Sequence, residues 1–362
     1  MKLNIIKIKL SQLESFVNSD TFRSFKTIPI SLLRVKSYIA NPNALPDDIV
    51  LYMGFHEEKL IAFRTIFAGS VQTNNGNLRF GWCSGSWVEI NYRRRGFSEQ
   101  LLIEALFDWK GKLMVTNYAP NAERLFLKTG KFSALHQFNG FRGYLFVKTT
   151  KLVPLAKKNN FARFTFAGID VLISVVAGLR GLFFRSSINR DISFSQLERP
   201  DDECYQWLGS QINHCTLQRG VAELRWIFNF PWISLQASGD SAKYPFSLFS
   251  DSFTYHTIKV FRNNIFIGFF IFSVRDGHLK TLLFELNSGA EKEIADYIAE
   301  FCIQQKIEVI TVYNSGVAEQ LFKRKLPFLR AKKYGQKIYS SFDIGIQQNL
   351  KFQDGDGDVI FT

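Results

Sequence analysis

Residues 87–102 read WVEINYRRRGFSEQLL, and the rest of the chain is organised around this stretch. Trp87 to Ile90 has the character of a strand, Arg93, Arg94 and Arg95 make a basic loop closed by Gly96, and Leu101, Leu102, Ala105 and Leu106 share one face of a following helix. A strand that feeds a loop and a helix N-terminus is an anion site. The backbone N–H groups of Arg94 to Glu99 have no partner inside such a helix, and the helix dipole adds partial positive charge, so a phosphate satisfies both. Gly96 lets the backbone come close to it. The alternative is a basic turn before an ordinary helix.

The spacing Val88-x-Ile90-x-x-Arg93-x-x-Gly96-x-Ser98 resembles the pyrophosphate-loop motif of the GCN5-related N-acetyltransferase (GNAT) superfamily, V-x-P-x-x-Q/R-x-x-G-x-G/A. Ser98 replaces the last small residue and Ile90 the common proline. The resemblance implies acetyl-CoA or another acyl-CoA as cofactor, with its diphosphate on the amides of Arg94, Arg95, Gly96, Phe97, Ser98 and Glu99. Its pantetheine arm would pair with the strand at Val88 to Ile90. A second match, Ala122-Glu123-Arg124-Leu125-Phe126-Leu127-Lys128-Thr129-Gly130, resembles the family's final helix, A-x-x-L-Y-e-k-x-G. There a tyrosine often protonates the leaving thiolate, but Phe126 has no proton to give. The family's cofactor-contacting asparagine falls at Ala119, which leaves Asn117 and Asn121 as the nearest candidates. Asn121 reads equally well as a helix cap.

The order of elements agrees with the resemblance over residues 1–150. Leu10 to Val17 and Ile30 to Ile39 read as helices, and Ile49 to Phe55, Leu60 to Val71 and Leu78 to Ile90 as an antiparallel meander. After the loop and its helix come a buried strand at Lys112 to Thr116 and a helix at Asn121 to Lys128. A closing hairpin is expected at Phe132 to Phe138 and Phe141 to Val147, turning at Asn139-Gly140.

From residue 191 the pattern starts again. Tyr255 to Arg262, Ile265 to Val274 and His278 to Leu286 read as strands, Glu291 to Cys302 as a helix, Glu308 to Tyr313 as a strand and Gly316 to Lys323 as a helix, with two strands ending near Phe342. Ala318-Glu319-x-Leu321-Phe322 echoes Ala122-Glu123-x-Leu125-Phe126 at the same place in this order, which indicates a tandem duplication. The expected fold is α/β with a mixed sheet in each of two acetyltransferase-fold domains, 1–150 and 191–345. A linker at 151–190 joins them, and an acidic tail follows at 346–362. The second cofactor loop, Leu286-Asn287-Ser288-Gly289-Ala290-Glu291, lacks arginine and holds an acidic residue where a phosphate would lie. The second domain is therefore expected to bind no CoA and to wall an acceptor cleft, with Arg225, Trp226, Trp232 and Tyr255 as contacts or as plain core aromatics.

The chain has 362 residues, 46% apolar, enough for two cores. Its formal charge of +13 calls for acidic partners such as phosphorylated ligands or anionic membrane, and no helix-turn-helix, RNA-binding or zinc module argues for nucleic acid. Cys83, Cys204, Cys215 and Cys302 form no CxxC pair, and Cys204, His214 and Cys215 lack a second ligand pair, so no metal is expected. Lys7, Lys9 and Glu14 interrupt any signal-peptide core, which points to the cytoplasm.

Two segments stand apart. Residues 151–190 carry seven Lys or Arg against Asp170 alone, a local charge of +6. Between the basic ends runs FARFTFAGIDVLISVVAGLRGLFF, whose longest uncharged run, Val171 to Leu179, is too short to span a bilayer. Asp170, Ser174, Gly178, Gly181 and Arg185 share a narrow stripe, leaving a broad apolar face that either packs between the two halves or rests on anionic lipid at the membrane surface. The tail alternates Asp354, Asp356 and Asp358 like the start of a calcium loop, yet Val359 stands where the turn glycine belongs. A turn returning Val359 to Phe361 to the fold, or carboxylates facing the cleft, are the other readings.

Acyl transfer to an amine needs a base and a donor for the thioester oxygen. Many GNAT relatives carry a glutamate where this chain has Cys83, and Glu89, on the same alternation of the strand, is the first candidate for base. Covalent catalysis by Cys83 is the lesser option, because no histidine is placed to activate it. The expected function is an acyl-CoA N-acyltransferase acting on a small amine, an amino sugar of cell-surface polysaccharide being the acceptor suggested by family analogy. The alternatives are an aminoacyl transferase of the peptidoglycan-bridge type and a non-enzymatic CoA-binding sensor.

Overall fold

The computed structural model describes residues 3–73, 76–117, 120–152, 160–210, 217, 219–237, 242–286, 289–345 and 352–361, with backbone alone at 72, 73, 117, 120–122, 151, 152 and 160. In chain order the first elements are β1 (Asn4–Lys9), α1 (Leu10–Val17), α2 (Asp20–Ser24), α3 (Leu32–Ile39), β2 (Ile49–His56), β3 (Lys59–Thr73), β4 (Gly76–Val88), α4 (Phe97–Asp108), β5 (Leu113–Asn117) and α5 (Pro120–Lys128). Next come β6 (Ser133–Tyr144), α6 (Thr149–Leu152), α7 (Asn160–Leu182), β7 (Ile192–Leu197), α8 (Asp202–Ser210) and α9 (Val221–Asn229). The rest are β8 (Phe253–Arg262), β9 (Ile265–Arg275), β10 (His278–Leu286), α10 (Glu291–Gln304), β11 (Val309–Val312), α11 (Ser315–Lys323) and β12 (Arg330–Ser340). The sequence reading missed β1 and β7, short strands at the start of each copy.

The chain forms two compact units that are not consecutive stretches: one takes 1–137, 205–251 and 337–362, the other 138–204 and 252–336. The division therefore runs differently from the expected boundaries at 150, 190 and 345.

In the first unit β1, β2, β3 and β4 pair antiparallel in sequence order, and α4 crosses over to β5, which lies parallel to β4. The far edge of β5 is covered by β12 of the second half, with Lys337 opposite Asn117 and Ser340 opposite Met114. The second unit repeats the plan. Strands β7, β8, β9 and β10 form the meander, α10 crosses to a parallel β11, and β6 of the first half pairs along β11 with Phe141 opposite Val312. Each copy thus closes its sheet with a strand from the other.

That exchange corrects the expected hairpin at 132–147. β6 is one continuous strand, and Gly140 sits within it because a Cβ there would come 2.4 Å from the Val312 carbonyl. The glycine serves close strand packing, not a turn. The two strands expected near Phe342 are likewise the single strand β12.

Each unit has its own core. In the first, α4 buries Phe97, Leu101, Leu102 and Ala105 against Tyr52, Ile61, Ile66 and Val115. Each large side chain contributes roughly 1.5–3 kcal/mol by leaving water. In the second, Ile294, Ile298 and Cys302 of α10 pack on Phe270, Phe272 and Ile310. The echoed AExLF segments fall on α5 and α11, each following its parallel strand.

Candidate active site

Parallel pairing of β4 and β5 is confined to Gly81, Trp82 and Cys83 opposite Leu113, Met114 and Val115. Beyond Cys83 the strands part. A β-bulge opens here, since Arg64 faces Ser86 and Ile66 faces Cys83, so that Ser84 and Gly85 together oppose Thr65. The Gly85 amide bonds Thr65 Oγ1 at 2.9 Å instead of the ladder. From Ser84 to Val88 the β5-facing edge of β4 has no strand partner among the described residues, although the Val88 carbonyl accepts from Arg93 Nε, and it offers a template for an extended chain of polar groups.

This fork leads into a cavity of about 600 Å³ that lies wholly within the first unit. Arg64, Cys83, Ser84 and Ser86 line it, Val88, Tyr92, Arg93, Arg94, Gly96 and Ser98 bound one end, and Leu125, Phe126 and Phe246 are its apolar walls. Its size is that of a small-molecule site.

At the basic end β4 stops at Val88, and Ile90 to Tyr92 form a single 3-10 turn. The sequence reading carried the strand to Ile90; in fact Ile90 is 71% exposed and lies outside the cavity. The edge therefore runs from Ser84 to Val88, overlapping the expected Val88 to Ile90 at Val88 alone. Gly96 begins α4 with φ of +81°, and a Cβ on it would meet nothing within 4 Å. Arg94 is also left-handed, at φ +63°. The Glu99 and Gln100 amides both bond the Gly96 carbonyl, at 3.1 and 3.0 Å, whereas the amides of Arg94, Arg95, Gly96, Phe97 and Ser98 find no acceptor among the described residues. Arg93 is steadied by a 3.1 Å bond from Nε to the Val88 carbonyl, and Arg95 lies over the Tyr92 ring, outside the cavity lining. Phe97 turns its side chain into the core.

Beneath that helix start lies Arg64, which the sequence reading missed. It is 1% exposed, donates to Ser98 Oγ at 3.2 Å, and has no partner for Nε among the described residues. Ser98 Oγ meets Ser86 Oγ at 3.1 Å. No carboxylate pairs with the guanidinium among the described residues; its titratable neighbours are Cys83 and Tyr52. Burial pushes both of those groups up, so both stay neutral near pH 7 and Arg64 remains an uncompensated buried cation. A charge inside the apolar run LIAFRTIFAG was the signal available in sequence.

Across the cavity stands Asp358. The tail returns into the first unit: Val359, Ile360 and Phe361 are buried, and Phe361 stacks on Trp232 with centroids 4.4 Å apart. Asp356 pairs with Arg219 at 3.4 Å and accepts from the Gln353 amide, while Thr116 Oγ1 donates to the Asp356 carbonyl. Asp358 accepts from Ser84 Oγ at 2.9 Å, and Ser84 in turn accepts from Arg34 at 2.6 Å. Of the readings open for the tail, the structure has Asp356 engaged with Arg219 and Asp358 lining the cavity.

The other sequence candidates divide. Cys83 lines the cavity, but burial raises its thiol pKa, which opposes a thiolate nucleophile. Glu89 lies outside the lining and accepts from Lys59 Nζ at 2.7 Å. Phe126 lines the cavity and packs edge-on to Phe132 at 5.0 Å. The side chains of Asn117 and Asn121 lie outside the described residues. Trp226 and Trp232 are core residues, Trp226 Nε1 donating to the Ser37 carbonyl at 2.6 Å, and Arg225 lies over the Tyr205 ring. Tyr255 stands on β8 of the second unit against Phe253, so none of the four lines the cavity. In the second cofactor loop Asn287 and Ser288 are outside the described residues, and Glu291 Oε2 accepts from the Gly289 amide at 3.1 Å.

No model of a protein family matches the sequence, and no curated protein sequence matches it significantly. Solved structures do match. A tandem GNAT protein from the clavulanic acid biosynthesis pathway is 9% identical over 94% of this chain and 99% of its own, with a TM-score of 0.50. A conserved protein of unknown function from Enterococcus faecalis V583, described as a probable N-acyltransferase, is 8% identical over 94% of this chain and 72% of its own, with a TM-score of 0.52. The fold is that of the GCN5-related N-acetyltransferases, with a tandem protein of that fold among the structural neighbours.

Proposed function

We propose that the first unit is an acyl-CoA-dependent N-acyltransferase acting on a small amine. The observation that carries this reading is the buried Arg64 beneath a helix start, the guanidinium lacking a carboxylate and the amides lacking acceptors among the described residues. A buried cation without a counterion is costly, and an anionic ligand at that helix start relieves it. The chain's groups fit acyl-CoA. The amides of Arg94 to Ser98 with the Arg93 and Arg94 side chains would hold the diphosphate, and the open edge from Ser84 to Val88 would hold the extended arm. Bound there, the cofactor supplies an acyl group activated as a thioester.

Of the two carboxylates lining the cavity Glu99 is paired with Lys128, and Asp358, held by Ser84 with Arg34 behind it, would take the proton from the attacking amine. Leu125, Phe126 and Phe246 keep water from the acyl group. In the second unit Glu291 already satisfies a loop amide, which supports a role without CoA. The amino-sugar acceptor rests on family analogy and heads the list of acceptors to test.

The experiment is a thermal shift with acetyl-CoA and longer acyl-CoAs, followed by thiol release across a panel of amines that includes amino sugars. Acetyl-CoA at a hundred times its Kd should add about 2.7 kcal/mol of stability. Binding with no thiol release for any amine would favour the sensor reading, in keeping with the absence of a proton on Phe126.

A further inference from the structure

α7 is built inside out. Four of its polar and small residues, Asp170, Ala177, Arg180 and Gly181, face protein: Asp170 Oδ1 accepts from the Thr149 amide at 2.5 Å and Oδ2 from the Thr150 hydroxyl at 2.6 Å. Arg180 donates to the carbonyls of Phe328 at 2.7 Å and Pro327 at 3.3 Å, Ala177 is 2% exposed, and Gly181 sits against Ile303. All of these partners belong to the second unit. The opposite face points away from it, and Phe161, Phe164, Val171, Leu172, Val175 and Leu182 are 53–82% exposed. At about 100° per residue these side chains fall within an arc of roughly 100°, on a helix roughly 34 Å long. A soluble helix does the reverse, turning its apolar stripe inward.

We infer that this face lies on an anionic lipid bilayer. Phe161–Leu182 is long and apolar enough to cross a membrane, which the sequence reading, stopped by the charges at 163, 170 and 180, had denied. Yet a helix fixed along its length by Asp170 and Arg180 to a folded unit cannot be ringed by lipid. It lies flat, with its exposed face among the acyl chains and its flanks at the headgroups. The flanks supply the charge complementarity: Arg163, Arg185 and Arg190 are exposed, and Lys151, Lys157 and Lys158 precede the helix in sequence. This inference is independent of the proposed chemistry.

The test is flotation of the full chain with vesicles of phosphatidylcholine, with and without about one third phosphatidylglycerol. The intact protein should float with the anionic vesicles and much less with the neutral ones. A Leu172→Asp, Val175→Asp double variant should lose binding about tenfold or more with unchanged circular dichroism and melting temperature, since both positions are solvent-facing. Leu172→Ser, Val175→Ser provides a milder form if the first variant misfolds. Arg163→Glu, Arg185→Glu should weaken binding to the anionic vesicles only. Failure of the intact protein to float, flotation indifferent to the apolar substitutions, or a solution dimer that the same substitutions split without any vesicle binding would each overturn the inference.

Discussion

Ser84 Oγ donates to Asp358 Oδ2 at 2.9 Å across 274 positions of sequence, joining the bulge that opens the cavity to the last turn of the chain. Asp358→Asn keeps the shape and the hydrogen bond but cannot take a proton. Turnover with an accepted amine should fall on the order of 10²–10⁴-fold while acetyl-CoA affinity stays within about twofold. Steady-state kinetics beside calorimetric binding checks this, and equal turnover would remove Asp358 from the mechanism.

Phe361 holds that carboxylate in place through its stack on Trp232 and its contact with Trp226. Phe361→Ala should cost about 3–5 kcal/mol in chemical denaturation, the usual range for a buried ring, and should lower turnover by freeing the tail. A variant as stable as the parent would show that the tail is not anchored there.

Arg64 makes the opposite trade. Arg64→Met removes a buried cation that has no carboxylate partner among the described residues, so the protein without ligand should melt at the same temperature or higher. Acetyl-CoA affinity should drop about tenfold or more. Melting curves with and without ligand separate the two effects.

His278 gives a pH dependence in the second unit. Burial, aided by Lys280, Arg142 and Arg275, pulls its pKa down to about 3, and Nε2 lies 2.9 Å from Thr311 Oγ1. The folded pKa is below the unfolded value of about 6.5, so the unfolded chain binds the proton first. The contribution is whole above pH 6.5 and is lost as pH falls toward 3. By pH 5 the loss should be on the order of 1–2 kcal/mol, and His278→Gln should flatten that part of a stability profile.

The form of the loop from Arg93 to Ser98 and the repeated element order were legible because each depends on neighbours close in sequence. Strand exchange was not. Gly140 carries the same local signature in a turn as in a strand pressed on the Val312 carbonyl, and only the partner decides. The tail's alternating aspartates left three readings open in sequence, and Phe361 against Trp232 with Asp358 in the cavity selects the returning turn and the cleft-facing carboxylate. Arg64 was visible as a charge in an apolar strand, but its meaning depends on Ser98, which reaches it only through the fold. For Trp226 and Trp232 the sequence left cleft contact and core aromatic equally open, because large aromatics fill cores as readily as they line clefts, and both lie in the core.

The central claim is that the amides at the start of α4 receive a cofactor's diphosphate, and Gly96 is its most direct test. A valine there would be strained at φ +81° and would project into open space at the helix start. Calorimetric titration of acetyl-CoA into Gly96→Val, alongside a melting curve to verify folding, should show binding lost or weakened about a hundredfold with the protein still folded. Unchanged affinity would contradict the account.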